Sequence, residues 1–176
     1  MHFVETPIAG PKVVELDMKS DSRGFFARGF CAKEMAENGL DSQVVQANLS
    51  FNKERGTLRG MHYQRAPHQE SKLVRCIHGS IFDVVVDLRR DSPTYLKWFG
   101  TTLSAENRRA LFVPKGFGHG YQTLEDNTEV LYLVSEYYEP GAGGGARYDD
   151  PLVGIEWPLP ATNVSEQDLN WASLEA

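Results

Sequence analysis

Through the second half of the chain, apolar positions fall in short β-branched and aromatic runs rather than at the three-and-four spacing of an amphipathic helix. From Ser71 the text runs SKLVRCIHG, SIFDVVVDLR, KWFGTTLS, RALFVPKG, HGYQTLE and EVLYLVSEYY, punctuated by Gly, Pro, Asn, Asp or Ser. That spacing predicts antiparallel strands. Between Ile81 and Asp87 the run is almost wholly apolar, as in a strand covered on both faces. The segment Cys31–Gly39 combines good helix formers with a glycine stop and predicts one short helix. The expected fold is therefore all-β: a jelly-roll sandwich or barrel with one or two short helices.

Composition narrows the setting. A chain of 176 residues, 41% hydrophobic and 24% charged, is expected to form one unit, 1–176, with a core large enough to need neither disulfide nor structural metal. Cys31 and Cys76 lie in no CxxC or zinc-type spacing, which favours a reducing compartment. The opening MHFVETPIAG has no basic-then-apolar leader pattern, and no long apolar run could span a bilayer, so a cytoplasmic protein without membrane contact is expected. Eighteen Lys and Arg against 24 Asp and Glu give a net charge of -6, which argues against nucleic-acid binding. An anionic ligand must then be met by a local group of cations. Gly141–Gly145 reads as a flexible stretch.

Polar residues recur at every second position in Gln46-Ala47-Asn48 and in Leu58–Gln64, so each set projects from one face of a strand. Strict alternation puts His62 with Gly60 and Gln64, and Arg59 on the opposite face. By pattern alone a solvated outer face is the plainer outcome. Against it stands the gathering of Arg59, His62, Lys72 and Arg75 within seventeen positions of an acidic chain. The tract Pro114–Gly120 resembles the second box of the cupin superfamily, with His119 either a hydrogen-bonded structural residue or a ligand contact. The partner box offers His62 without a second imidazole, so no metal site is expected.

Taken in order, Asp21–Phe26, Gln46–Ser50, Gly56–Gln64, Lys72–Arg75, Asp83–Arg89 and Pro114–Gly120 resemble the nucleotide-sugar 3,5-epimerases typified by dTDP-4-dehydrorhamnose 3,5-epimerase. Tyr137–Pro140, Asp149–Pro151 and Ile155–Pro158 extend the likeness over about residues 3–170. The resemblance implies a cupin-type jelly roll, a homodimer with strand exchange, and an enzyme that works without cofactor. Its substrate would be a nucleotide-diphosphate sugar with a ketone at C4, inverted at C3 and C5 or at C3 alone. Such a reaction needs a base on one face of the ring, a group that stabilises the enolate, and an acid on the other face. The family pattern assigns these to His62, Lys72 and Tyr132, with Asp168 orienting His62. It assigns substrate binding to Arg23, Gln46, Asn48, Arg59, His119 and Tyr138, with Arg23 reaching a neighbouring subunit's ligand.

Two positions depart from the family. Arg28 stands where a Glu is usual in the FFxExF box, and Gly143 stands near the place of a second Glu after the YxP turn. A 3,4-ketoisomerase of the same substrate class and a non-catalytic nucleotide-sugar-binding cupin are the competing readings, with a metal-dependent cupin oxygenase third.

Overall fold

Apolar runs become strands where at least one face can be buried. A computed structural model of the chain describes residues 1–174; Glu175 and Ala176, the last of the expected unit, lie outside the described residues. The elements begin with β1 (His2–Glu5), β2 (Lys12–Glu15), β3 (Lys19–Asp21), β4 (Gly24–Phe26) and α1 (Ala32–Glu37). They continue through β5 (Gln46–Asn52), β6 (Thr57–Gln64), β7 (Lys72–His78), β8 (Ser80–Asp87), β9 (Trp98–Ser104) and β10 (Ala110–Val113). The chain closes with β11 (Phe117–Thr123), β12 (Thr128–Val134), β13 (Gly143–Gly145), β14 (Asn163–Val164) and α2 (Glu166–Leu169).

Two antiparallel sheets carry the fold, one in the order β1-β2-β10-β7-β12-β5 and the other in the order β13-β6-β11-β8-β9, with β14 added parallel to β6. They pack face to face as a jelly roll. Val74, Leu111 and Val130 from the first sheet meet Ile81, Val85, Leu103 and Tyr121 from the second in one buried cluster. Strand β8 explains its own apolar run. Ile81 and Val85 point into that cluster, while Val84 and Val86 point the other way, under Ala146, Val153, Ile155 and Trp157. Burying each of these branched side chains contributes about 1.5–3 kcal/mol, so both faces of the strand favour Val and Ile.

Two acids share the inward parity of Ile81 and Val85: Asp83 and Asp87, both fully buried. Asp87 is satisfied by Arg89, Ser92 and Thr94. Burial pushes its carboxyl up, but those hydrogen bonds outweigh burial and hold it down at about 2. Asp83 lies behind His119 of β11, 2.8 Å from its Nε2.

Strand β5, an edge of the first sheet, is inverted relative to an ordinary half-buried strand. Its inward positions Gln46, Asn48, Ser50 and Asn52 are polar, and its outward Leu49 and Phe51 are 62% and 48% exposed. Residues Gly143–Gly145, expected to be flexible, instead form β13, paired to β6 from Gln64 to His62. The physical reason is packing: a methyl on Gly144 would strike the Tyr63 ring, and one on Gly145 the Trp171 ring, so the glycines let two aromatic side chains lie on the strand.

Candidate active site

Between the sheets at one end lies a cleft of two lobes, about 250 and 240 Å³, that share His62, Lys72 and Tyr132 as a common wall. His62 comes from β6 in one sheet; Lys72 on β7 and Tyr132 on β12 come from the other. Gln46, Asn48 and Tyr138 line the first lobe, Arg59 and His119 the second. Nine of the ten residues expected at the site are therefore drawn to one place, eight of them on the cleft wall and Asp168 behind His62.

The tenth, Arg23, sits between β3 and β4, exposed and paired with Asp21 at 2.6 Å, and lines neither lobe. Arg28 is likewise turned to its own surface, bonded to Glu34 at 2.7 Å. Glu34 also meets the N-terminal ammonium at 2.7 Å, and these two cations hold its carboxyl down at about 2. Gly143 does line the first lobe, and the space a side chain would take there is open.

Strict alternation would have kept Arg59 and His62 on opposite faces, yet both line the second lobe. The correction comes from a bulge: His119 pairs with His62 but Tyr121 pairs with Arg59, so three steps on β6 face two on β11. The extra residue resets the parity. Gly60 sits in it at φ +137, where a Cβ would come within 2.5 Å of Gly120 Cα, so only glycine fits.

Asp168, a C-terminal residue that would be a surface charge by default, is 3% exposed. Ser165 caps α2 by accepting the Asp168 N–H at 3.1 Å. The carboxylate then reaches back 106 residues to His62 Nε2, 2.6 Å from Oδ1, while Oδ2 accepts the Gly60 N–H at 3.2 Å. Burial pushes the Asp168 carboxyl up, and the bonds from His62, Gly60 and Trp171 outweigh it, leaving the group below its ordinary value. A carboxylate in that state fixes the orientation of the imidazole and stabilises an imidazolium once a proton is taken.

Lys72 is not a strand-edge lysine. Its side chain is 11% exposed and its Nζ lies 3.2 Å from Glu70 Oε1, a carboxylate that itself lines the first lobe. For Tyr132, burial is the main reason that the phenol is raised above its ordinary value, with Tyr121 and Glu70 adding to the shift and Arg59 opposing it. It is held in the proton-donating form. His119 combines both expected roles, bonding Asp83 at 2.8 Å while facing the second lobe. The buried Oδ2 of Asp83 has no hydrogen-bond partner among the described residues.

Sequence reasoning missed Glu70, Asp83, Gln64 and Trp171. Asp83 had a signal, an acid inside an apolar strand; Glu70, in a polar loop, had none. Gln64, buried, donates to His68 O at 3.0 Å and Tyr137 O at 3.1 Å and accepts the Glu139 N–H at 2.8 Å, tying together the loops around the first lobe. Leaving the buried Gln64 amide unpaired would cost about 1–3 kcal/mol.

Residues 5–176 match the family model described as dTDP-4-dehydrorhamnose 3,5-epimerase. The chain belongs to that family. A dTDP-4-dehydrorhamnose 3,5-epimerase of Methanothermobacter thermautotrophicus is 45% identical over 175 residues, covering 98% of this chain and 94% of that protein. Among solved structures, the family enzyme of Bacillus anthracis, with TDP and PPi bound, superposes with a TM-score of 0.94 at 40% identity, over 98% of this chain and 99% of that one. A 3'-monoepimerase from Streptomyces bikiniensis in complex with dTDP-quinovose gives a TM-score of 0.89 at 32% identity, over 97% and 86%. Family membership accounts for the jelly roll and for the strength of the motif likeness.

Proposed function

We propose that the chain is a cytoplasmic epimerase of a dTDP-type nucleotide-diphosphate 4-keto-6-deoxy sugar, inverting C3 and C5, or C3 alone, through an enolate. The observation that carries it is that an imidazole backed by a buried carboxylate and a phenol raised by burial stand on facing sheets and line the same cleft, with an ammonium on their shared wall. His62 takes the proton beside the C4 ketone, and the imidazolium formed is stabilised by Asp168. As electrons move into the carbonyl, Lys72 Nζ meets the negative oxygen, a contact strengthened where water is excluded. Tyr132 then returns a proton to the opposite face of the same carbon, which inverts it. The chemistry requires neither metal nor redox cofactor.

Binding is assigned to the cations and amides beside these groups. Arg59 is engaged through Nε by Asn52 Oδ1 at 2.8 Å, leaving its two terminal nitrogens without a protein partner among the described residues and suited to diphosphate oxygens. Gln46 and Asn48 add amides along β5, His119 serves the second lobe, and Tyr138, 69% exposed, offers a flat ring at the mouth. Arg23 acts only in a second copy's cleft, within a homodimer that exchanges strands. The outward apolar face of β5, with Leu49 and Phe51, supports such a dimer, because monomers rarely leave adjacent large apolar residues on an edge strand.

The test is incubation with dTDP-4-keto-6-deoxyglucose in deuterated water, followed by product NMR. Deuterium at inverted C3, with or without C5, is the expected result and also fixes the number of centres inverted. Binding without deuterium uptake would overturn the proposal in favour of a non-catalytic module, and uptake with movement of the ketone to C3 would favour a ketoisomerase.

A further inference from the structure

The carboxylate oxygen that meets His62 has a second donor. Trp171, just beyond α2, donates its indole Nε1–H to Asp168 Oδ1 at 3.2 Å, the atom that also lies 2.6 Å from His62 Nε2. The indole is also part of the wall of the first lobe. Its seat is Gly145. A methyl there would run into the fused edge of the ring, although the backbone at Gly145 is not in the left-handed region and makes no demand for glycine. Gly145 in turn pairs with His62 across β13 and β6. Glycine, indole, carboxylate and imidazole therefore close a ring of contacts, each fixing the next.

We propose, on the proton-transfer reading of His62 given above, that Trp171 seated on Gly145 is a positioning residue for the His62–Asp168 dyad, its N–H holding Oδ1 aimed at the imidazole. A carboxylate tied on three sides cannot turn away from the imidazole ring, and the loss of one tie frees it to do so. Removing the indole N–H leaves Asp168 with one stabilising bond fewer, so its carboxyl rises and the low-pH titration of the dyad moves up. The other ionisable groups around the dyad are Arg59, Lys72 and Glu70, the tyrosines Tyr63, Tyr121, Tyr132 and Tyr138, the His119–Asp83 pair, and Arg147, which bonds the Leu169 carbonyl at the end of α2. None of them bonds the indole N–H, so its loss acts through Asp168.

Trp171→Phe keeps an aromatic side chain but deletes the pyrrole half of the indole with its N–H; Gly145→Ala keeps the N–H and displaces the ring. Deuterium uptake across a pH series and ring-proton NMR of the ligand-free protein are the two readouts. With Trp171→Phe, uptake falls about tenfold, the scale of one hydrogen bond to a charged group. Both the acid limb of the profile and the NMR titration move up. Gly145→Ala lowers uptake when Trp171 is present and adds nothing further in a Trp171→Ala background, the signature of coupled residues. An unmoved profile and titration in Trp171→Phe, or an undiminished effect of Gly145→Ala without Trp171, overturns the assignment. A wild-type protein that takes up no deuterium refutes the epimerase reading instead, and the NMR titration still decides the role of Trp171.

Discussion

Asp168→Asn replaces a buried carboxylate by a neutral amide of the same shape, and the geometry allows the cost to be worked out. Three N–H groups point at the carboxylate: His62 Nε2 and Trp171 Nε1 at Oδ1, and the Gly60 N–H at Oδ2. An amide has one acceptor oxygen, so whichever way it is turned, its NH2 group faces a donor or forces the imidazole into the wrong tautomer. What is lost in the transition state is a charge-assisted bond to the forming imidazolium. That is worth about 3 kcal/mol, roughly a 10²-fold fall in proton removal. The assay is deuterium uptake at C3 and C5 of dTDP-4-keto-6-deoxyglucose by NMR, run beside calorimetric binding of dTDP and thermal unfolding. Binding is expected to persist while uptake collapses. Uptake within about threefold of wild type, or binding and uptake lost in parallel, would refute the dyad as the source of the base.

Tyr132→Phe leaves His62 able to remove the proton and return deuterium from the same side, so labelled substrate of unchanged configuration should accumulate while epimer formation falls at least about 10²-fold; persistent inversion by NMR argues against Tyr132 as the acid. Gly60→Ala puts a methyl against Gly120 in a left-handed backbone, with an expected loss of about 1–3 kcal/mol in urea unfolding and of uptake as His62 shifts. The Asp87 carboxyl, at about 2 when folded, lies below its unfolded value of 3.8. Its stabilisation is therefore complete above the unfolded value and is lost as pH falls through about 2. Asp87→Asn should remove about 2 kcal/mol of the wild-type loss across that window in acid unfolding followed by circular dichroism, and identical acid profiles would contradict it. Leu49→Glu with Phe51→Glu should give monomers in sedimentation equilibrium, and a monomeric wild type would remove the dimer from the account.

The sequence alone determined the strands from Lys72 to Val134, because their alternation and turn residues reflect contacts each segment makes along its own length. It marked β8 as covered on both faces. The motif likeness located His62, Lys72 and Tyr132, and the facing sheets brought them to one cleft. Other features depended on distant partners. Period-two counting separated Arg59 from His62, and only the bulge formed against β11 reunited them. Asp168 has no local cue to burial; it is buried because α2 docks on β6 and sets its carboxylate behind His62. The glycines of β13 look mobile in one dimension and become a packed strand once the rings of Tyr63 and Trp171 lie across them. Local periodicity reports which face of a strand a residue occupies, whereas register shifts and contacts across more than a hundred residues arise from packing the finished sheets together.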